Sequence, residues 1–246
     1  MQALIIQHDL NGPAGHVIDW LAARGADQDV WLIGRDSAGA RDPLTYDLIV
    51  SLGSEHAAYD DALPWLEGEL GLLRAAFDGD VPVLGICFGG QLLARALGGR
   101  AMRGPHAEIG WVAICPRDPA FLPAGPWLQW HYDTFTPPPG AVLLAESPAA
   151  PQAYTIGLSL GLQFHPEVTP DIVGDWVAGG SAQLLRAGLD GERLMAETRE
   201  RDAENRARAW RLLDLFQERV AAAQRISKPV RPSGSSSRTS TLWTSA

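Results

Sequence analysis

Between residues 81 and 99 the chain reads VPVLGICFGGQLLARALGG. An apolar run ends in Gly85-Ile86-Cys87-Phe88-Gly89, and helix-like spacing begins at once. A buried strand that passes straight into a helix must fold that helix back on its own sheet, so this junction constrains the fold more than any other stretch. The same alternation precedes it. Residues 3–7 form a short apolar run, followed by turn-rich residues 8–15, and 16–24 show helix spacing, with Val17, Ile18 and Leu21 on one face and Gly25 as a stop. Residues 29–33 and 46–52 are further apolar runs, the second broken by Gly53-Ser54-Glu55; 62–77 reads as a helix and 81–86 as a buried strand. Strands alternating with helices predict a parallel sheet covered on both faces.

After Gly99 the pattern changes. Residues 108–115, 127–131, 141–146, 152–157 and 158–164 are short strand candidates joined by Pro/Gly turns, and a helix follows over 171–178. A long helical pattern runs from 192 to 225, with Glu197/Arg201, Asp202/Arg206 and Glu204/Arg208 spaced four apart. Its charges read as a solvated face, and Trp210, Leu213, Phe216 and Val220 are placed to dock it on the body. The last 20 residues hold seven Ser, three Thr and three basic residues with no acid, which predicts disorder. The expected organisation is a domain over 1–186, a helical extension over 187–226 and a tail over 227–246, with no internal repeat.

With 246 residues, 46% of them apolar, the chain can bury the core of one domain. No apolar run approaches the roughly 20 residues that span a membrane, and Met1 to Ile6 reads as a first strand, not as a signal peptide. The net charge of −9 argues against a nucleic-acid partner. Two cysteines make no disulfide framework, so a reducing cytoplasm is expected.

Gly-x-Cys-x-Gly between a strand and a helix has the form of a nucleophile elbow. The turn lifts Cys87 to the carboxyl end of the sheet, where open α/β folds bind ligands. The helix N-terminus there favours thiolate over thiol, and its N–H groups, chiefly that of Phe88, can stabilise an oxyanion. A buried, inert cysteine is the alternative, and that description suits Cys115. The best candidate base is His165 in LGLQFHPEV. Pro166 holds it extended, so Glu167 can share its face and orient the imidazole. A strand-end histidine beside a solvated glutamate is the other reading. His131-x-Asp133 with His165-x-Glu167 also admits a metal site, but the cysteine elbow explains more. His8 ends the first strand, with two readings, a residue facing the site or a capped turn, of which the capped turn is preferred. His16, His56 and His106 carry no pattern.

Taken together, GICFGGQ and QFHPE resemble the nucleophile and histidine–glutamate motifs of the class I (triad) glutamine amidotransferases, in that family's order. The resemblance runs from about residue 3 to residue 178. Gln91 matches the glutamine that ends the nucleophile motif. EIGW at 108–111 and WHYDTF at 130–135 are similar to landmarks of the branch related to the glutaminase part of GMP synthetase, and the start QHDLNGPAG resembles free-standing members of that branch. One departure stands out: where the family commonly has a Gly-Gly-Pro type loop, this chain reads Leu52-Gly53-Ser54.

The resemblance implies an open, mostly parallel, flavodoxin-like α/β sheet flanked by helices, with added short antiparallel strands and a C-terminal helix. It implies attack by Cys87 on the glutamine amide carbon, with His165 as base and acid and Glu167 orienting it. The N–H groups of Phe88 and Gly53 would hold the oxyanion, and water would release glutamate from a thioester. No metal or organic cofactor is implied. Gln91 belongs to the expected substrate pocket, and His131, Tyr132 and Asp133 are expected in a loop bordering it. Ammonia would pass to a separate synthetase subunit, because residues after 178 carry no phosphate-binding Gly-rich motif. A free-standing hydrolase of γ-glutamyl amides and a non-catalytic binding domain are the alternatives, and the intact Cys87, His165 and Glu167 argue against the last.

Overall fold

The computed structural model describes residues 1–35 and 41–227. Strand β1 (Gln2–Gln7) sets the architecture. Its side chains alternate between two cores, Ala3 and Ile5 on one face and Leu4 and Ile6 on the other, as a strand buried on both faces requires. Strands β2 (Asp27–Leu32) and β3 (Leu48–Ser51) pair with it in parallel; β4 (Val83–Ile86) follows β3, and β10 (Ser159–Leu162) follows β4, also in parallel. The other edge is antiparallel, through β9 (Pro151–Ile156), β8 (Val142–Glu146) and the short β6 (Cys115–Pro116). The sheet order is β2-β1-β3-β4-β10-β9-β8-β6. This is the open, mostly parallel sheet expected.

Helices cover both faces. Against Ala3, Ile5, Val50 and Leu84 lie α1 (Gly15–Ala23), through Val17, Trp20 and Leu21, and the long α6 (Gly191–Ser227), through Ala209, Leu212, Leu213 and Phe216. Against Leu4, Ile6, Ile49 and Val83 lie α2 (Leu66–Asp78) and α3 (Phe88–Ala96). A third cluster joins α4 (Pro170–Gly179), α5 (Ser181–Arg186) and the start of α6 through Val173, Leu184 and Leu194. A separate two-stranded ribbon, β5 (Arg100–Val112) with β7 (Trp127–Thr136), stands beside the main sheet.

Three expectations need correction. The helix read over 62–77 begins only at Leu66, since Pro64 and Trp65 still belong to the turn before it. Cys115 is exposed, not buried, because it sits on the short edge strand β6. The polar face of α6 is partly docked. Glu197–Arg201 and Glu204–Arg208 pair along the helix, but Asp202 reaches His16 of α1 at 3.1 Å while Arg206 lies over the Trp210 ring. Asn205, fully buried, donates to the Val168 carbonyl at 3.3 Å. The expected Ser/Thr-rich tail lies outside the described residues, apart from Ser227, which ends α6.

Candidate active site

The carboxyl ends of β3, β4 and β10 converge, and the chain leaving each brings one part of the site. Between β4 and α3, Cys87 takes φ 51° and ψ −107°, a positive φ that a non-glycine residue adopts at a cost of about 1–3 kcal/mol. The surrounding hydrogen bonds hold it there. Its N–H donates to the Leu162 carbonyl of β10 at 2.9 Å, and two residues on the N–H of Gly89 donates to the Leu52 carbonyl at 3.0 Å. A side chain at Gly89 would collide with the Ser51 backbone, so α3 can lie this close to β3 only with glycine there.

Three residues beyond β10, His165 pairs its N–H with the Leu128 carbonyl of β7 at 2.9 Å. Its Nδ1 lies 2.7 Å from Glu167 Oε1, and both side chains are buried. That leaves Nε2, buried and otherwise unpartnered, as the nitrogen that can exchange a proton. Burial alone would lower the basicity of His165; the Glu167 carboxylate and then the Cys87 sulfur raise it, to about 10 from the ordinary 6.5. The Trp176 ring of α4 packs edge-on against the imidazole, with ring centroids 4.8 Å apart. The Glu167 carbonyl accepts the His16 N–H at 2.8 Å, so α1 anchors the segment that bears the pair.

Gly53 closes the third side. A Cβ built there would come 3.2 Å from His165 Cε1 and 3.9 Å from the Cys87 Cβ, which places the turn after β3 directly beside both. A cavity of about 530 Å³ opens here, lined by Cys87, His165, Glu167, Gly53, Phe88 and Gln91 together with His131, Tyr132 and Asp133. One cavity thus gathers the nine residues expected in the site, Cys87, His165, Glu167, Gly53, Phe88, Gln91, His131, Tyr132 and Asp133. The structure corrects the setting of the last three, which lie in β7 and not in a loop, paired with β5 through Glu108↔His131 and Arg103↔Asp133. The nitrogens of His131 face its own chain's Asp133 carbonyl at 2.9 Å and Glu108 at 3.2 Å. Among the described residues no group of three His, Cys, Asp or Glu side chains is arranged to hold a metal ion.

Two features escaped the sequence. Gln163 donates through Nε2 to the Cys87 sulfur at 3.6 Å and accepts from Gln91 at 3.2 Å. The signal was present, since Gln163 shares the two-residue period of His165 and Glu167. His8 is no capped turn; it is buried among aromatic rings beneath the Gly53 turn.

A nucleophile elbow, a buried His–Glu pair and a roomy polar cleft at the carboxyl ends of parallel strands admit acyl transfer by several families. The sequence profile described as "Glutamine amidotransferase class-I" matches residues 18–175. The chain belongs to the class I glutamine amidotransferase family. It is 38% identical over 144 residues to the GMP synthase (glutamine-hydrolyzing) of Thermus thermophilus, covering 53% of this chain and 29% of that protein. The corresponding Aeropyrum pernix protein is 43% identical over 122 residues, 44% of this chain and 24% of that one. The chain therefore spans less than a third of these curated relatives. Among solved structures, a glutamine amidotransferase of Methylobacillus flagellatus superposes with a TM-score of 0.80 at 31% identity, covering 88% of this chain and 94% of that one. One from Thermotoga maritima gives 0.79 at 28% identity, over 89% and 97% of the two chains. The likeness to these two amidotransferases extends over nearly their whole chains, where the likeness to the synthases covers one part.

Proposed function

We propose that this class I amidotransferase hydrolyses the side-chain amide of glutamine through a Cys87 thioester, releasing glutamate and ammonia. The observation that carries the reading is the buried His165–Glu167 pair in one cavity with a cysteine held at positive φ on a helix N-terminus. His165 Nε2 takes the thiol proton, and the sulfur attacks the amide carbon. The N–H groups of Phe88 and Gly53 hold the tetrahedral oxyanion. Part of the raised basicity of His165 comes from the Cys87 sulfur. Once that sulfur is acylated the contribution falls away, so the imidazolium becomes the stronger acid that leaving ammonia needs. Water activated by the same nitrogen then frees glutamate. The zwitterionic head of glutamine needs one cationic and one anionic partner, and the cleft wall offers Arg103 beside Asp133, 3.4 Å apart. A synthetase subunit is the proposed recipient of ammonia, supported by the relatives named GMP synthase.

One observation favours a second reading. The cavity runs from Cys87 to Trp130, Tyr132 and Gln183, leaving space for a substituent on the amide nitrogen, as in a γ-glutamyl amide or dipeptide. Ammonia and glutamate release from glutamine, measured beside amine release from a panel of γ-glutamyl dipeptides with Cys87→Ala as the blank, separates the two. Weak Cys87-dependent turnover of glutamine points to a partner-dependent glutaminase. Preference for dipeptides points to the hydrolase. Turnover that survives Cys87→Ala refutes both.

A further inference from the structure

The polar group that this chemistry leaves unused lies under the turn after β3. His8 follows β1 and Glu69 sits in the first turn of α2; both side chains are shut off from solvent, with Nε2 2.9 Å from Oε2. Glu69 Oε1 accepts the Ser51 hydroxyl at 2.7 Å. His8 Nδ1 lies 3.2 Å from the Gly53 carbonyl oxygen. A carbonyl only accepts, so Nδ1 carries a proton and donates it. The Phe88 and Trp65 rings fix the imidazole from two sides, their centroids 4.7 Å and 5.2 Å away. Apolar side chains would fill this space without the desolvation that a buried carboxylate and imidazole suffer.

What the arrangement controls follows from peptide geometry. Across a trans peptide the C=O and the N–H point in opposite directions, so gripping the oxygen aims the hydrogen. Gly89 grips the Leu52 carbonyl at 3.0 Å and thereby aims the Gly53 N–H. His8 grips the Gly53 carbonyl and thereby aims the Ser54 N–H. Neither Gly53 nor Ser54 restricts its own backbone as a proline would. The Leu52 N–H to Ile6 carbonyl bond at 3.1 Å and the Glu55 N–H to Asp9 Oδ2 bond at 2.8 Å anchor the two ends of the turn, and between them the two carbonyl grips, one from the nucleophile's own helix and one from the buried pair, set the direction of the Gly53 and Ser54 peptides.

We propose that His8, held by Glu69 and Ser51, is a positioning residue that fixes the Gly53–Ser54 turn so that its N–H donors face the acyl oxygen of a substrate on Cys87. This rests on the glutaminase reading for the identity of that substrate.

The test uses the full chain and compares wild type, His8→Ala, His8→Asn and Glu69→Gln. The readouts are backbone amide exchange at residues 52–55, kcat and KM for glutamine, and the alkylation rate of Cys87 by iodoacetamide. Asparagine places an N–H where Nδ1 stood, so it can still grip Gly53. His8→Ala is expected to speed exchange at Gly53 and Ser54 and to lower kcat roughly 10- to 100-fold, with KM and alkylation within about twofold. His8→Asn should recover most of both losses. Glu69→Gln, which keeps an acceptor for Nε2, should stay within about fivefold of wild-type kcat. If His8→Ala does not fold, Glu69→Ala releases the ring and carries the same comparison. Unchanged exchange and kcat, a loss that His8→Asn does not recover, or an equal fall in alkylation would overturn the proposal. If wild type shows no Cys87-dependent turnover, the glutaminase reading fails by itself, and amide exchange alone then decides whether His8 holds the turn.

Discussion

At the scale of single residues, the site depends on charges and hydrogens placed where water cannot reach them. Glu167→Gln keeps an oxygen for His165 Nδ1 but removes the charge that raises its basicity. The variant is expected to fold, to lose roughly 100-fold or more in kcat, and to show a lower His165 titration midpoint by NMR. Gly53→Ala puts a methyl group 3.2 Å from His165 Cε1, so either the ring or the turn must shift. Its kcat for glutamine should fall about 10-fold or more with little change in melting temperature; wild-type kcat would refute the placement of Gly53. The pH dependence of stability has a definite sign. A histidine raised from 6.5 to about 10 in the fold stabilises it fully below about pH 6.5 and loses that contribution as pH rises through about 10. Between those limits the melting temperature should fall more in wild type than in His165→Gln, as calorimetry across the range would show.

Among elements, β3, β4 and α3 approach each other so closely that Gly89→Ala should cost stability by driving α3 from the Ser51 backbone, and should lower the yield of folded protein. The docked face of α6 belongs to the core. Leu213→Ala, at a position 1% exposed, is expected to cost about 2–5 kcal/mol in denaturant unfolding, whereas Ile226→Ala, at 86% exposed, should stay within about 0.5 kcal/mol. Elements with a strong period were legible in the sequence. β1, β3 and β4 read as short apolar runs because they are buried on both faces. The ribbon was harder to read, since β7 extends through His131-Tyr132-Asp133 to Thr136 on residues chosen for the cleft and for pairing with β5, not for alternation. Helix α5, six residues long, is too short to show a period. The contact of Asp202 with His16 spans most of the chain, so local charge spacing pointed instead to Arg206.

For the molecule as a whole, the family was readable because two short motifs, far apart in sequence, had to meet in space, and the fold brings them together at the ends of adjacent strands. Gln163 carried only the two-residue period it shares with His165 and Glu167, and the His8–Glu69 pair carried no pattern at all, since its partners stand 61 residues apart and show their chemistry only once the fold brings them together. In the proposed reaction Cys87 carries the glutamyl group during turnover. Acid-quenched intact-protein mass spectrometry within the first turnovers on glutamine tests it most directly. The expected result is a glutamyl adduct that maps to the peptide bearing Cys87, is absent from Cys87→Ala and accumulates further in Glu167→Gln if deacylation slows. Steady glutamine turnover with no adduct at Cys87, or an adduct at any other residue, would contradict it.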